Sequence, residues 1–210
     1  MLTQDASVLA VHKPVGLPVI PGHQLRLEDT LHGQVEGALG QKVWVVHRLD
    51  RDTSGVLLFA RSAEAHRFLS LQFERQQVKK IYLAWVQGRM SHTVLEEGLI
   101  DAPLKEFGSG RVAVHPDGKP SRTVFKVLRL EETRTLLELR PQSGRRHQLR
   151  AHLYSLGHPI VGDPLYGKER SSAQGRLMLH ALSIEFTHPG GGKRVVEDPV
   201  AWLEEQRGGG

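Results

Sequence analysis

Short apolar blocks, separated by Gly, Pro and polar turns, run through most of this chain and predict more strands than helices. Val8 to His12 reads as a strand ended by the Pro14-Val15-Gly16 turn. Val43 to Val46 and Val56 to Ala60 read as two strands joined by a loop, and Ile81 to Val86, Thr123 to Leu130, Thr135 to Leu139 and Leu177 to Phe186 add further strands. Three segments carry helical spacing instead. Asp29 is placed to cap a helix with Leu31, Val35 and Leu39 on one face and Gly40 as its stop. Ser62 is placed to cap a second, with Ala65, Phe68, Leu69 and Phe73 facing inward. Ser143-Gly144 opens a third, whose buried face is Leu149, His152, Leu153 and Leu156 and whose end is Gly157. Helices and strands do not alternate regularly, so the fold class is α+β and not a doubly wound parallel sheet. Residues Pro103 to Pro120, rich in Gly, Pro and charge, read as a long exposed loop, and Gly190-Gly191-Gly192 and Gly208-Gly209-Gly210 as a flexible turn and a frayed tail.

At 210 residues the chain suits one domain spanning 1–210 and can bury a real core. It holds no cysteine, which excludes disulfides, thiolate metal sites and a Cys nucleophile. No N-terminal apolar run is long enough for a signal peptide or membrane span, so the expected location is cytoplasmic. Lys plus Arg exceed Asp plus Glu by 28 to 23. Arg122, Lys126, Arg129, Arg134, Arg140, Arg145, Arg146 and Arg150 fall in one stretch, with Arg75, Lys79 and Lys80 as a second group, and both point to an anionic partner. His147 and His152 are five apart, which does not match paired zinc ligands on a helix, so no metal is expected.

The loop between the second and third apolar blocks carries the chemistry. In Val46-His47-Arg48-Leu49-Asp50-Arg51-Asp52-Thr53-Ser54-Gly55 one carboxylate stands between two arginines, whose charge is expected to keep Asp50 ionised. That suits a nucleophile or an electrostatic anchor, not a general acid. Asp52 reads as a turn residue.

His47 to Gly55 resembles the H-R-L-D-x-x-T-S-G signature of the RluA-type pseudouridine synthases, in the short form without an S4 domain. Other blocks resemble that family in the same order: Asp5 to Leu17 with its Lys-Pro-x-Gly turn, Lys79 to Ala84, Ser143 to Leu153, Gly157 to Asp163, Tyr166-Gly167, Leu179-His180-Ala181 and Phe186 to Pro189. Departures are mild: Ser143 stands where Thr is usual, Arg146 where a small hydroxyl residue is common, and Ser121 where Ala often follows Gly-Lys-Pro. The resemblance implies a mixed, mostly antiparallel, bisected β-sheet flanked by helices and loops, with a central RNA-binding cleft. It implies a monomeric isomerase that turns a uridine of structured ribosomal or transfer RNA into pseudouridine, with no cofactor and no separate N-terminal RNA-binding domain. By the same resemblance Asp50 is catalytic, Tyr82 stacks on uracil and assists proton removal, and Arg150 is the ion-pair partner of Asp50. Leu149 contacts the base, Arg48 fills the gap left by the flipped uridine, and Arg145 contacts phosphate or braces its loop. The Pro103–Pro120 segment helps grip RNA. Two alternatives stand beside this: a non-catalytic RNA-binding protein on the same fold, and a glycosidic hydrolase, which would usually need two carboxylates around a water.

Overall fold

The computed structural model describes residues 1–22, 25–108, 110–167 and 175–200. In chain order its elements are β1 (Thr3–Gln4), β2 (Val8–Lys13), α1 (Leu31–Leu39), β3 (Trp44–Val45), β4 (Ser54–Ala60), α2 (Ala63–Glu74) and β5 (Lys79–Gln87). There follow β6 (Glu97–Asp101), β7 (Leu104–Glu106), β8 (Val112–Val114), β9 (Arg122–Leu130), β10 (Arg134–Pro141), α3 (Gln148–Ser155), β11 (Leu179–Thr187) and β12 (Lys193–Glu197). The fold class is α+β: β4 and β11 pair in parallel, while the ladders β2–β4, β5–β10 and β9–β10 are antiparallel. Among the described residues no helix is long and apolar enough to cross a membrane.

Contacts divide the chain into two units, Met1–Lys80 with the segment from His180 onward, and Ile81–Leu179. In the first unit the strands run β1-β2-β4-β11, with β3 also on β4 and β12 on β11. All seven residues of β4 are buried, as a strand covered on both faces requires. Val56, Leu58 and Ala60 pack with Val8, Ala10, Ala65 and Leu69. Phe59, on the alternate face, stacks against His32 of α1. The cap of α1 is Thr30, not the expected Asp29: the Thr30 hydroxyl accepts from the Gly33 amide, while Asp29 ends a 3-10 turn over Leu27–Asp29. Ser62 caps α2 as expected. The buried face of α2 is Ala65, Leu69 and Gln72, so the expected inward Phe68 is instead 40% exposed. Gln72 earns its interior place by bonding the backbone of Thr187 in both directions, through its amide to the carbonyl and its oxygen to the N–H.

In the second unit β5, β10, β9 and β6 form an antiparallel ladder in that order. The expected loop at 103–120 is in large part a hairpin, in which β7 pairs with β8. It is held because Leu104 and Val112 pack with Ala151 and Tyr166, and the Tyr166 hydroxyl both accepts from the Val112 amide and donates to its carbonyl. Helix α3 begins at Gln148, later than the expected Ser143-Gly144, because His147 sits at φ 50 and turns the chain into it. Gln148, at 4% exposure, fixes that turn: its amide donates to the Arg122 carbonyl and Thr123 hydroxyl, and its oxygen accepts from Ser143 and the Arg145 amide. Leu156, expected on the buried face, is the exposed C-cap. Gly208-Gly209-Gly210 lies outside the described residues.

Candidate active site

The chain leaves β3, makes a short loop and enters β4, and several residues of that loop are held by specific contacts. His47 stacks on Phe73 at 4.5 Å and its Nε2 accepts the Leu58 amide at 3.0 Å. Accepting an N–H requires a lone pair, so the ring is neutral; burial, with Lys80 adding repulsion, pushes its pKa down to about 3. Arg48 points to the surface, Leu49 is buried, and Asp50 is half-buried. The Asp50 carbonyl accepts the Thr53 amide at 3.1 Å, closing a tight turn. Ser54 is buried and its hydroxyl bonds Nδ1 of His180 at 2.9 Å. Gly55 has φ +120, and an added Cβ would stand 2.2 Å from the Ala181 carbonyl oxygen. Only glycine permits the close parallel approach of β11 that pairs Ala181 with Gly55.

A second segment braces the loop from below. The Gly16 amide donates to the Arg51 carbonyl at 3.0 Å and the Arg51 Nε donates back to the Gly16 carbonyl at 2.9 Å. The Arg51 side chain is thus engaged with the Lys-Pro-x-Gly turn. A cation that sequence reasoning did not single out, Lys13, stands in the electrostatic field of both Asp52 and Asp50. Its side chain is fully buried, and its Nζ donates to the carbonyls of Pro14, Leu17 and Arg51, each at 2.8 Å.

The remaining expected residues lie in the second unit. Tyr82 is half-buried on β5, opposite Leu139 of β10. Leu149 and Arg150 are buried on α3, while Arg145 is exposed in the turn before it, as is Arg146, so neither is a helix residue. Arg150 has a bidentate carboxylate partner that the sequence reading left without a role. Its Nε and Nη2 donate to the two oxygens of Asp163, each at 2.7 Å. Asp163 Oδ1 also accepts the amides of Leu165 and Tyr166, and the Arg150 guanidinium lies 5.2 Å from the Tyr166 ring centre. The signal for Asp163 was present in Gly162-Asp163 followed by Tyr166-Gly167, a carboxylate placed to bond the turn it begins. His152 commits both ring nitrogens, to the Thr123 hydroxyl and the Ala102 carbonyl, and burial lowers its pKa.

The sequence profile of the RNA pseudouridylate synthase family matches residues 7–155, a span that includes Lys13, Asp50, Tyr82 and Arg150. The chain belongs to this family. Its members are isomerases acting on RNA, and the motif resemblance to the RluA type is borne out by its relatives. A dual-specificity RNA pseudouridine synthase RluA of Vibrio parahaemolyticus is 40% identical over 89% of this chain and 76% of its own length. A ribosomal large subunit pseudouridine synthase D of Nitrosomonas europaea is 37% identical over 95% of this chain, which spans only 61% of that relative. Among solved structures, human RNA pseudouridylate synthase domain containing 1 superposes with a TM-score of 0.80 at 26% identity, over 97% of this chain and 84% of that one.

For this pseudouridylate synthase chain, the arginine-rich stretch proves less of an anion-binding stripe than its composition suggests. Arg122 pairs with Asp101, Arg129 and Arg134 with Glu131, and Arg140 with Glu97 and Glu138. Arg146 lies 3.6 Å from Glu106, and Lys79 of the other basic group pairs with Glu185. Exposed pairs of this kind add little stability, but they cancel each other's field at a distance. The carboxylates come from neighbouring strands or turns, so a count along the sequence overstated the local positive charge.

Proposed function

We propose that this chain is an RNA pseudouridine synthase that isomerises a uridine in structured ribosomal or transfer RNA, as a cytoplasmic monomer and without a cofactor. The observation that carries the proposal is the mounting of Asp50. It is a half-buried carboxylate on a short turn closed by Thr53, braced through Arg51 and fixed by the obligatory Gly55, inside the span that matches the family. The names of the relatives support ribosomal and transfer RNA as the substrate class.

In this reading the N1–C1′ bond of the uridine breaks, the uracil turns, and a C5–C1′ bond forms. The C5 proton leaves and N1 gains one, so product and substrate are isomers. Asp50 either attacks the ribose at C1′ or removes a ribose proton, and a single carboxylate suffices for either. Tyr82 stacks on the uracil and assists loss of the C5 proton. Arg150 supplies the counter-charge to Asp50; its bond to Asp163 fixes the guanidinium plane and occupies one edge of the fork. Leu149 contacts the base, Arg145 a phosphate, and Arg48 takes the stacked position vacated by the flipped nucleotide, since C1′ and C5 cannot be reached inside a helix.

The test is to treat ribosomal and transfer RNA with the protein, then with a carbodiimide that leaves a stable adduct on pseudouridine, and to weigh the RNA before and after the first step. New adduct sites at constant mass are the expected result. Release of free uracil would indicate a hydrolase, and binding with no new adduct a non-catalytic RNA-binding protein; either overturns the proposal.

A further inference from the structure

Lys13 is a lysine with no exposed surface, held by three backbone carbonyls. An ammonium has three N–H donors, and here each meets one acceptor. A neutral amine has two, so deprotonation would turn a lone pair onto one of the carbonyls with no water to replace the lost bond. Two of the acceptors lie in the turn that follows Lys13, and the third is the carbonyl of Arg51, 38 residues on and directly after Asp50. The same oxygen takes the Gly16 amide. Burying a charged lysine is disfavoured relative to an apolar side chain of similar length, so stability alone gives no reason to place one here.

We infer that Lys13 is a positioning residue for Asp50: its ammonium ties the Pro14–Leu17 turn to the backbone that bears the carboxylate, and it does so only while charged. The inference rests on the catalytic role of Asp50 proposed above. The groups facing Lys13 are Asp50 and Asp52 from the loop, whose charges favour the ammonium, and Arg51, whose guanidinium is engaged by Gly16. His12, its neighbour on β2, pairs with Asp198. Burial outweighs both carboxylates and brings the Lys13 pKa down to about 8 from 10.5. The clamp is therefore complete at neutral pH and opens as pH rises through about 8. Folding responds in the opposite sense. Between 8 and 10.5 the unfolded chain binds the proton that the folded chain has lost, so this group makes the fold more stable as pH rises. Loss of activity above about pH 8 is then not unfolding.

The test uses the full chain and ribosomal and transfer RNA transcribed with 5-tritiated uridine, since isomerisation releases the C5 hydrogen to water. Single-turnover rates are measured against pH with circular dichroism alongside, for the wild type, Lys13→Arg and Lys13→Met. Amide exchange at Gly16 is followed in the same proteins. The wild-type rate should fall above about pH 8 with the fold intact, and that limb should be absent from Lys13→Arg, whose charge does not titrate there. Lys13→Met should lose about a hundredfold in rate, the scale expected of a small misplacement of a reacting group, with RNA affinity unchanged and Gly16 exchange faster. A Lys13→Met rate equal to wild type, or a wild-type limb that persists in Lys13→Arg, would overturn the inference. If Lys13→Met does not fold, the comparison of wild type with Lys13→Arg decides. A wild type that releases no tritium overturns the proposed function instead, and unchanged Gly16 exchange in Lys13→Met then rejects the clamp independently.

Discussion

Replacing Asp163 by Asn tests whether the buried fork on Arg150 holds the second unit together. Both side chains are essentially inaccessible, at 5% and 0% exposure, and the two bonds of 2.7 Å are the length of charge-assisted pairs. Asn keeps the shape but can present only one oxygen, so its amide nitrogen confronts an arginine donor and the guanidinium loses the carboxylate charge on that edge. Removing one partner of a buried pair costs about 3–5 kcal/mol. Asp163 Oδ1 also receives the amides of Leu165 and Tyr166, which an Asn oxygen can still accept, so that part is retained. At roughly 2–4 °C per kcal/mol for a chain of this size, the melting temperature should fall by about 6–20 °C. The assay is reversible denaturant unfolding of the wild type, Asp163→Asn, Arg150→Met and the double variant, combined as a cycle. The double variant should be less damaged than the sum of the two single ones, because Met removes the donor that the Asn amide would confront. A loss below about 1 kcal/mol for Asp163→Asn, or strict additivity, would refute the claim that the fork bears the load.

Gly55→Ala should destabilise the first unit by about 2–6 kcal/mol, adding a strained positive φ to a backbone clash that no side chain can relieve, and unfolding curves within about 1 kcal/mol of wild type would show that β11 can shift away. Because the His47 pKa is lowered to about 3 from 6.5, the unfolded chain takes up a proton that the folded chain refuses in that window. Its stabilising contribution is thus present above 6.5 and lost as pH falls towards 3. The acid limb should be less steep in His47→Gln by up to about 1.4 kcal/mol per pH unit, as read by unfolding free energy against pH. Arg48→Ala should impair a hairpin RNA much more than a short unstructured RNA with the same uridine, since flipping out of a stack costs a few kcal/mol and out of an open strand little; equal losses in single-turnover rate would remove the gap-filling role.

Where apolar spacing was strong, the sequence was a reliable guide to the fold: β2, β4, β5, β9 and β10 and the Ser62 cap all lie close to where the pattern puts them. It misled where a distant partner sets the outcome. Phe68 has the spacing of a core residue, but the interior position goes to Gln72, whose amide is satisfied by Thr187, 115 residues away. The β7–β8 hairpin was hidden by its Gly-rich tip, because among its described residues only Leu104 and Val112 are buried and the tyrosine that anchors them lies far along the chain. The start of α3 was expected at Ser143-Gly144, whereas the Gln148 side chain holds the Arg145 amide in a turn and the helix begins at Gln148. At the site, the motif made Asp50 legible by its company. Lys13 and Asp163 were quoted within motifs but left without roles, since a charged residue in sequence carries no sign that it will be buried against carbonyls or an arginine.

The central claim is that one carboxylate, Asp50, carries out an isomerisation of uridine. The direct measurement is single-turnover tritium release from 5-tritiated RNA by Asp50→Asn beside the wild type, with RNA affinity determined on the same samples. The amide matches the carboxylate in shape but is a very poor nucleophile and base. The account predicts no release by the variant, affinity unchanged and a normal melting curve. Turnover by Asp50→Asn at a substantial fraction of the wild-type rate, in protein free of wild-type contamination, would contradict it.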